Sequence, residues 1–232
     1  MIPLKDDNPT ERFPVVTVTL IALNVLIFLY QLGLGQDQPH FVYQFGAIPS
    51  LVVAYPAALP VQLTTLTSMF LHGGILHVGG NMLYLWIFGN NIEDTLGRGR
   101  FLSYYLLCGL VAAWAHILVN PASQVPVIGA SGAVSGVLGA YLILFPKARV
   151  LTLVTLGYFW RVVHLPAVVV LGFWIVVQLI NGSLSIGVES GVAWFAHVGG
   201  FAAGLLLLPV FRAGHPRRRL RYRSRGELDD YF

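Results

Sequence analysis

Charge is scarce in this chain. Of its 232 residues, 10% are Asp, Glu, Lys or Arg, where soluble globular domains carry about 25%. With 56% hydrophobic residues, the composition excludes an ordinary soluble domain. The repeated apolar runs predict an integral membrane protein. Cysteine is scarcer still: Cys108 stands alone, so no internal disulfide can form and the compartment is left open. Neither CxxC nor HExxH occurs, which removes the common zinc signatures. No polar linker divides the apolar part, and no low-complexity tract or repeat stands out. One bundle is expected rather than two domains.

What is present is a series of apolar runs. The candidate spans are Val15–Leu34, Gly74–Ile92, Phe101–Val119, Ser131–Phe145, Leu165–Ile180 and Val192–Phe211. A span needs about 20 residues, and the fourth and fifth are short by that measure. Residues 47–65 are broken by Pro49, Pro56 and Pro60, which suits an interfacial loop better than a helix. Val150–Trp160 is too short to cross and reads as an interfacial or re-entrant piece. The start, "MIPLKDDNPTERFP", is polar, and no A-x-A-type site follows the first run. A retained span is expected there rather than a signal peptide.

The distribution of positive charge tests the count. All 14 Lys and Arg fall before the first span, between spans two and three, between four and five, or after the sixth. The three alternate connections, at about residues 35–73, 120–130 and 181–191, hold none. The positive-inside rule therefore predicts an all-α bundle of six spans with both ends cytoplasmic. Three regions follow: a cytoplasmic tail at 1–14, a membrane domain at 15–211 and a basic cytoplasmic tail at 212–232. The tail "RAGHPRRRLRYRSRGE" is basic enough to suit nucleic acid. Topology already requires charge there, so it is read as an orientation signal attracted to anionic lipid, with no nucleic-acid partner.

Ionisable residues within spans suggest function. His77 and Asn81 are four apart on span two and share a face. His197 lies early in span six, and Ser131 opens span four. All these spans enter from the outer side, so the four residues share one depth. Span four measures about 22 Å at 1.5 Å per residue, against a hydrocarbon core of about 30 Å. Held at the cytoplasmic face by Lys147 and Arg149, its outer end stops short. Irregular backbone is tolerated at that depth only beside protein or a water-filled cavity, which predicts a wet pocket open to the outside. Gly200 and Gly204 form a GxxxG on span six, and Gly132 belongs to a small-residue face on span four. Such faces allow close helix packing.

Ser131 alone reads more readily as a packing residue than as a nucleophile, and His197 alone as readily as a structural histidine as a catalytic base. Packing spans four and six together would bring the two within reach, and serine activation by an adjacent base is the chemistry required. No acid lies inside a span: Glu93 and Asp94 fall at the cytoplasmic end of span two, and Asp37 and Glu189 in outer loops. A Ser–His dyad is expected. His72, five positions from His77, makes a poor metal partner for it and reads as a loop or cavity-lining residue. His116 is expected to bond to a neighbouring span, and Ser135 to pack or to join the pocket.

"HGGILHVGGN", "GRGR", "GASG" and "AHVGGFAAG", in this order and sidedness, resemble the rhomboid family of intramembrane serine proteases over roughly residues 60–210. The form resembled is the six-span bacterial one. The resemblance implies Ser131 as nucleophile and His197 as general base. It implies an oxyanion site from Asn81, His77 and the Ser131 backbone N–H, with Gly129 shaping the preceding loop. It implies no cofactor, the cytoplasmic membrane as location, and substrates that are transmembrane segments cut near their extracytoplasmic ends. An inactive client-binding relative and a channel or transporter are the rival readings. Two positions depart from the pattern. Leu63-Thr64 stands where many relatives carry a Trp-Arg pair. Ser135 stands where some carry a tyrosine stacked on the histidine.

Overall fold

The computed structural model describes residues 1–157, 159–186 and 191–213. Glu189 and all of the basic tail beyond Ala213 lie outside the described residues. The chain is mostly helical. α1 (Val15–Gly33) leads through a single 3-10 turn to α2 (Gln38–Phe45), α3 (Pro49–Ala54) and α4 (Leu59–Thr67). A rod then runs through α5 (Ile75–Tyr84), a π-helical stretch (Leu85–Gly89) and α6 (Asn90–Leu96). α7 (Arg98–Val119), α8 (Ser131–Leu144), α9 (Ala167–Leu184) and α10 (Trp194–Arg212) complete the helices.

Among the described residues, α1, α7, α9 and α10 are long and apolar enough to cross a membrane. The other two expected spans fall short for separate reasons. The rod is interrupted by its π stretch, and α8 has 14 residues, about 21 Å. Its shortness exposes little, because eleven of those residues are buried. A helix apolar and buried on all sides belongs in the centre of a bundle.

Two expectations need correction. Residues 47–65 are not an irregular loop but the helices α3 and most of α4, each with proline in its first turn. Proline has no N–H to lose there and its φ already suits a helix, so it starts these helices instead of breaking them. The chain is also not all-α. β1 (Ile2–Asp6), β2 (Arg149–Leu156) and β3 (Phe159–Pro166) form an antiparallel sheet in the order β1-β2-β3. The segment read as re-entrant is the β2–β3 hairpin. Its "RVLTLVTL" and "FWRVVHLP" are rich in β-branched and aromatic residues, which fit a pleated surface. The polar N-terminal tail supplies the third strand.

β2 follows the C-terminal end of α8, so the sheet lies at the opposite end from Ser131. Two carboxylates, Asp6 half-buried and Glu93 buried, tie that end together. Asp6 Oδ2 accepts hydrogen bonds from Tyr141 Oη on α8 (2.6 Å) and Asn91 Nδ2 on α6 (2.9 Å). Burial outweighs the Tyr141 hydrogen bond and pushes the Asp6 carboxyl up to about 6, with the neighbouring Asp7 adding to the rise. Glu93 of α6 accepts from the Val16 and Thr17 N–H groups (2.9 and 2.8 Å) and from Thr17 Oγ1 (2.8 Å). It thereby satisfies donors that the first turn of α1 leaves without intrahelical partners and places negative charge at the positive end of that helix.

The seam between α8 and α10 is set by small residues. A methyl at Gly200 would come within 2.0 Å of Gly132 O, and one at Gly204 within 2.1 Å of Gly136 O. Backbone meets backbone at these crossings. Tyr104 of α7 closes the seam: its hydroxyl lies 2.7 Å from Gly204 O and 3.1 Å from Gly136 O.

Candidate active site

Ser131 is the first residue of α8 and His197 sits in the first turn of α10. The Gly132–Gly200 crossing lies one residue beyond the serine and one turn beyond the histidine. It brings Ser131 Oγ to 2.9 Å from His197 Nε2. The other imidazole nitrogen, Nδ1, is 2.7 Å from Gln178 Oε1 on α9. Trp174 and Trp194 flank the ring at centroid distances of 6.0 and 6.1 Å, the first tilted by 39° and the second edge-on. Trp174 is thus an aromatic neighbour on a different helix from the one where some relatives carry their tyrosine. Ser135 instead donates to Ser131 O at 2.6 Å.

The loop before the serine is pinned at two points. Val127 pairs with Ala47 in an isolated antiparallel bridge, and Gly129 N donates to Ser68 O at 2.9 Å. Gly129 has φ of 119°, a region that side chains avoid. A Cβ there would lie 2.6 Å from His77 Nε2 and 3.6 Å from Ser131 Oγ. Glycine is therefore needed both for the backbone turn and for the approach of His77 to the serine.

On α5, Asn81 is buried, with Nδ2 3.0 Å from His72 Nε2. His77 Nδ1 accepts a long bond from Gly73 N at 3.4 Å. That bond favours the tautomer with hydrogen on Nε2, the atom facing the Gly129 loop. His72 is fully buried and packs edge-on to His77 at 5.1 Å. α1 fixes its backbone: Gln31 Oε1 accepts from His72 N (3.1 Å) and Gln31 Nε2 donates to His72 O (3.3 Å).

A cavity of about 1410 Å³ joins these groups, with His72, His77, Asn81, Ser131 and His197 all on its wall. His116 also faces it, and its Nδ1, expected to bond to a neighbouring span, has no partner among the described residues. Among the described residues, no group of three or more His, Cys, Asp or Glu could hold a metal ion. Glu93 and Asp94 lie at the sheet end, engaged by the N-terminal segment. Their expected remoteness from the serine matches their roles there.

Sequence reasoning overlooked Gln178, Gln31 and the partnership of His72 with Asn81. The available signal for Gln178 was a polar amide inside the apolar run "WIVVQLI". It lies four residues after a tryptophan, one helical turn, so both side chains share a face.

The family model for the rhomboid domain matches residues 61–214. The chain is 35% identical over 208 residues to "Rhomboid protease GluP" of Bacillus subtilis (strain 168), covering 89% of this chain and 37% of that protein. It is 39% identical over 97 residues to "Rhomboid protein 1, mitochondrial" of Saccharomyces cerevisiae, covering 40% and 28%. It is 31% identical over 118 residues to "Presenilin-associated rhomboid-like protein, mitochondrial" of Bos taurus, covering 47% and 31%. The chain spans about a third of the length of these curated relatives.

Proposed function

The chain belongs to the rhomboid family, and on that premise we propose that it is a serine endopeptidase that cuts transmembrane segments within the bilayer. The observation that carries this reading is the 2.9 Å contact between Ser131 Oγ and His197 Nε2 on the wall of one cavity. In the reaction, Oγ attacks the scissile carbonyl carbon as its proton passes to Nε2, giving an imidazolium and a tetrahedral oxyanion. The imidazolium then protonates the leaving amine, and the acyl-serine remains. Water, deprotonated by the same nitrogen, releases the second product and restores the serine.

The oxyanion needs donors aimed at it. The Asn81 amide carries two hydrogens; with one on His72, the second remains for the substrate. His77 Nε2–H and the Ser131 backbone N–H, free at the start of α8, are the other donors. Gly129 keeps the space between His77 and the serine clear. Gly132, Gly200 and Gly204 act through the seam that assembles the pair. No cofactor or metal enters these steps. A substrate helix hides its carbonyls in i to i−4 bonds, so segments with weak helix formers at the cut are preferred.

The segregation of Lys and Arg supports six spans with both ends in the cytoplasm. The sheet that joins β1 to β2, and β2 to β3, at the end remote from Ser131 is consistent with it. The cavity then opens to the extracytoplasmic side of the cytoplasmic membrane. The test uses purified protein in detergent or liposomes. A fluorophosphonate probe should label Ser131, and Ser131→Ala and His197→Ala should each abolish labelling and cleavage of a model transmembrane substrate while melting near wild type. Normal cleavage by Ser131→Ala removes the assignment. A folded wild type that neither labels nor cuts favours the client-binding reading.

A further inference from the structure

We propose that Gln178 of α9 is the positioning residue of the catalytic base, fixing both the tautomer and the ring plane of His197. The inference deepens the serine-protease reading and rests on it. It adds a third member to the pair, a neutral amide in the place where an acid was sought and not found.

The orientation of the amide follows from its two neighbours. Gln178 Nε2 lies 3.3 Å from Trp174 O. A carbonyl oxygen only accepts, so the NH₂ end must face it. The opposite end, Oε1, is then the atom 2.7 Å from His197 Nδ1. An amide oxygen also only accepts, so Nδ1 must carry the hydrogen. A neutral imidazole with hydrogen on Nδ1 has its lone pair on Nε2, the atom 2.9 Å from Ser131 Oγ. The chain Trp174 O, Gln178, His197, Ser131 thus has one consistent direction of donation. Its end is a base ready to take the serine proton.

The rest of the surroundings leaves this task to Gln178. Gln178 is itself buried, so water competes weakly for its oxygen. Ser135, at the position where some relatives carry a stacked tyrosine, is turned back onto Ser131 O. Trp174 and Trp194 confine the ring by contact, but a ring wall cannot tell one tautomer from the other. When the imidazole takes the serine proton, Gln178 Oε1 continues to accept from Nδ1–H, so the imidazolium forms without rearrangement. No net charge is brought into the apolar surroundings before the reaction starts.

The first measurement is on the unmodified protein. With ¹⁵N-histidine labelling, the His197 resonance, assigned by its loss in His197→Gln, should show protonated Nδ1 and unprotonated Nε2 at neutral pH. The opposite tautomer overturns the proposal, and the tautomer is read on the wild-type protein, with His197→Gln needed only to assign the resonance. The second measurement uses Gln178→Met, which keeps length and removes the acceptor, and Gln178→Glu, which keeps the acceptor and adds charge. In Gln178→Met, kcat should fall by roughly 10–100-fold with KM within about twofold. That loss stays at or below the about 10²–10⁴-fold that general-base catalysis supplies. Gln178→Glu should recover most of kcat, and the acid limb of its pH–rate profile should move to higher pH. Wild-type kcat in a folded Gln178→Met overturns the proposal, as does a Gln178→Glu profile that keeps the wild-type acid limb. If Ser131→Ala and His197→Ala are inactive while Gln178→Met is normal, only the role of Gln178 fails. If Ser131→Ala still cleaves, the protease reading itself fails.

Discussion

Adding one methyl group at Gly200 should disable catalysis more than it destabilises the fold. In Gly200→Ala the new Cβ would lie 2.0 Å from Gly132 O, whereas ordinary contact begins near 3.4 Å. The obstacle is a helix carbonyl and cannot swing aside like the end of a side chain. The α8–α10 seam must therefore open by about 1.4 Å. Ser131 is adjacent to Gly132, and His197 lies one turn from Gly200, so most of that opening reaches the pair. Fully transmitted, it lengthens the Oγ–Nε2 contact from 2.9 Å to about 4.3 Å, beyond hydrogen-bond range. A misplacement of about 1 Å can cost about 10²-fold in rate, so labelling of Ser131 and cleavage should both fall by about that factor or more. Over-packing by a methyl typically costs about 1–3 kcal/mol, which lowers the melting temperature but leaves folded protein to assay. Gly172→Ala on α9, where nothing lies within 4 Å of the added atom, is the control and should keep full activity. The assay is the second-order rate of fluorophosphonate labelling, scaled to folded protein. A Gly200→Ala enzyme that melts early yet labels at the wild-type rate would refute the transmission of strain from seam to site.

Glu93→Gln keeps the shape of the α1 cap but removes its charge and exchanges one acceptor oxygen for a donor. Charge-assisted bonds of this kind are worth about 1.5–3 kcal/mol each, and at least one is lost, so thermal melting should show a loss of about 1.5–3 kcal/mol or more, with labelling of Ser131 per folded molecule unchanged. Asp6 predicts a pH effect of definite sign. Its folded-state carboxyl is raised from 3.8 to about 6, so its contribution is fully present below about pH 4 and is lost as pH rises through about 6. A shift of that size is worth at most about 3 kcal/mol, and partial exposure reduces it. The melting temperature of Asp6→Asn relative to wild type should therefore rise between pH 4 and 7; a constant difference across that range contradicts the raised carboxyl.

The parts of this molecule legible in the sequence are those governed by local pattern. Apolar runs mark α1, α7 and α10 to within a few residues, and GxxxG spacing marks the seam that joins Ser131 to His197. That Ser131, His77, Asn81 and His197 line one cavity fits the sequence pattern, in which each lies towards the start of a run. What stayed hidden depends on partners distant in sequence. β1 reads as a polar tail because its alternation is short and its partner is near residue 150. Glu93 reads only as an acid at the cytoplasmic end of span two until α1 is placed beside it. Gln178 was passed over because one amide in an apolar helix has no meaning until the helix facing it is known. The proline-rich stretch misled for a local reason: the same residue ends a helix from within and begins one from its first turn.

The sheet also sets an order of assembly. Ile2 pairs with Leu153, 151 positions further along the chain. At a synthesis rate of about 5–20 residues per second, residues 2–6 wait roughly 7–30 s before Arg149 exists at all. Throughout that interval β1 is an unpaired strand, while α1, the rod, α7 and α8 are made. Pairing of β1 with β2 joins by hydrogen bonds the two ends of the segment that contains all of them, at the same end of the molecule where Asp6 meets Tyr141 on the serine helix. The strand thus works as a clasp that waits for its catch, and its edge must be kept from other strands until its partner arrives.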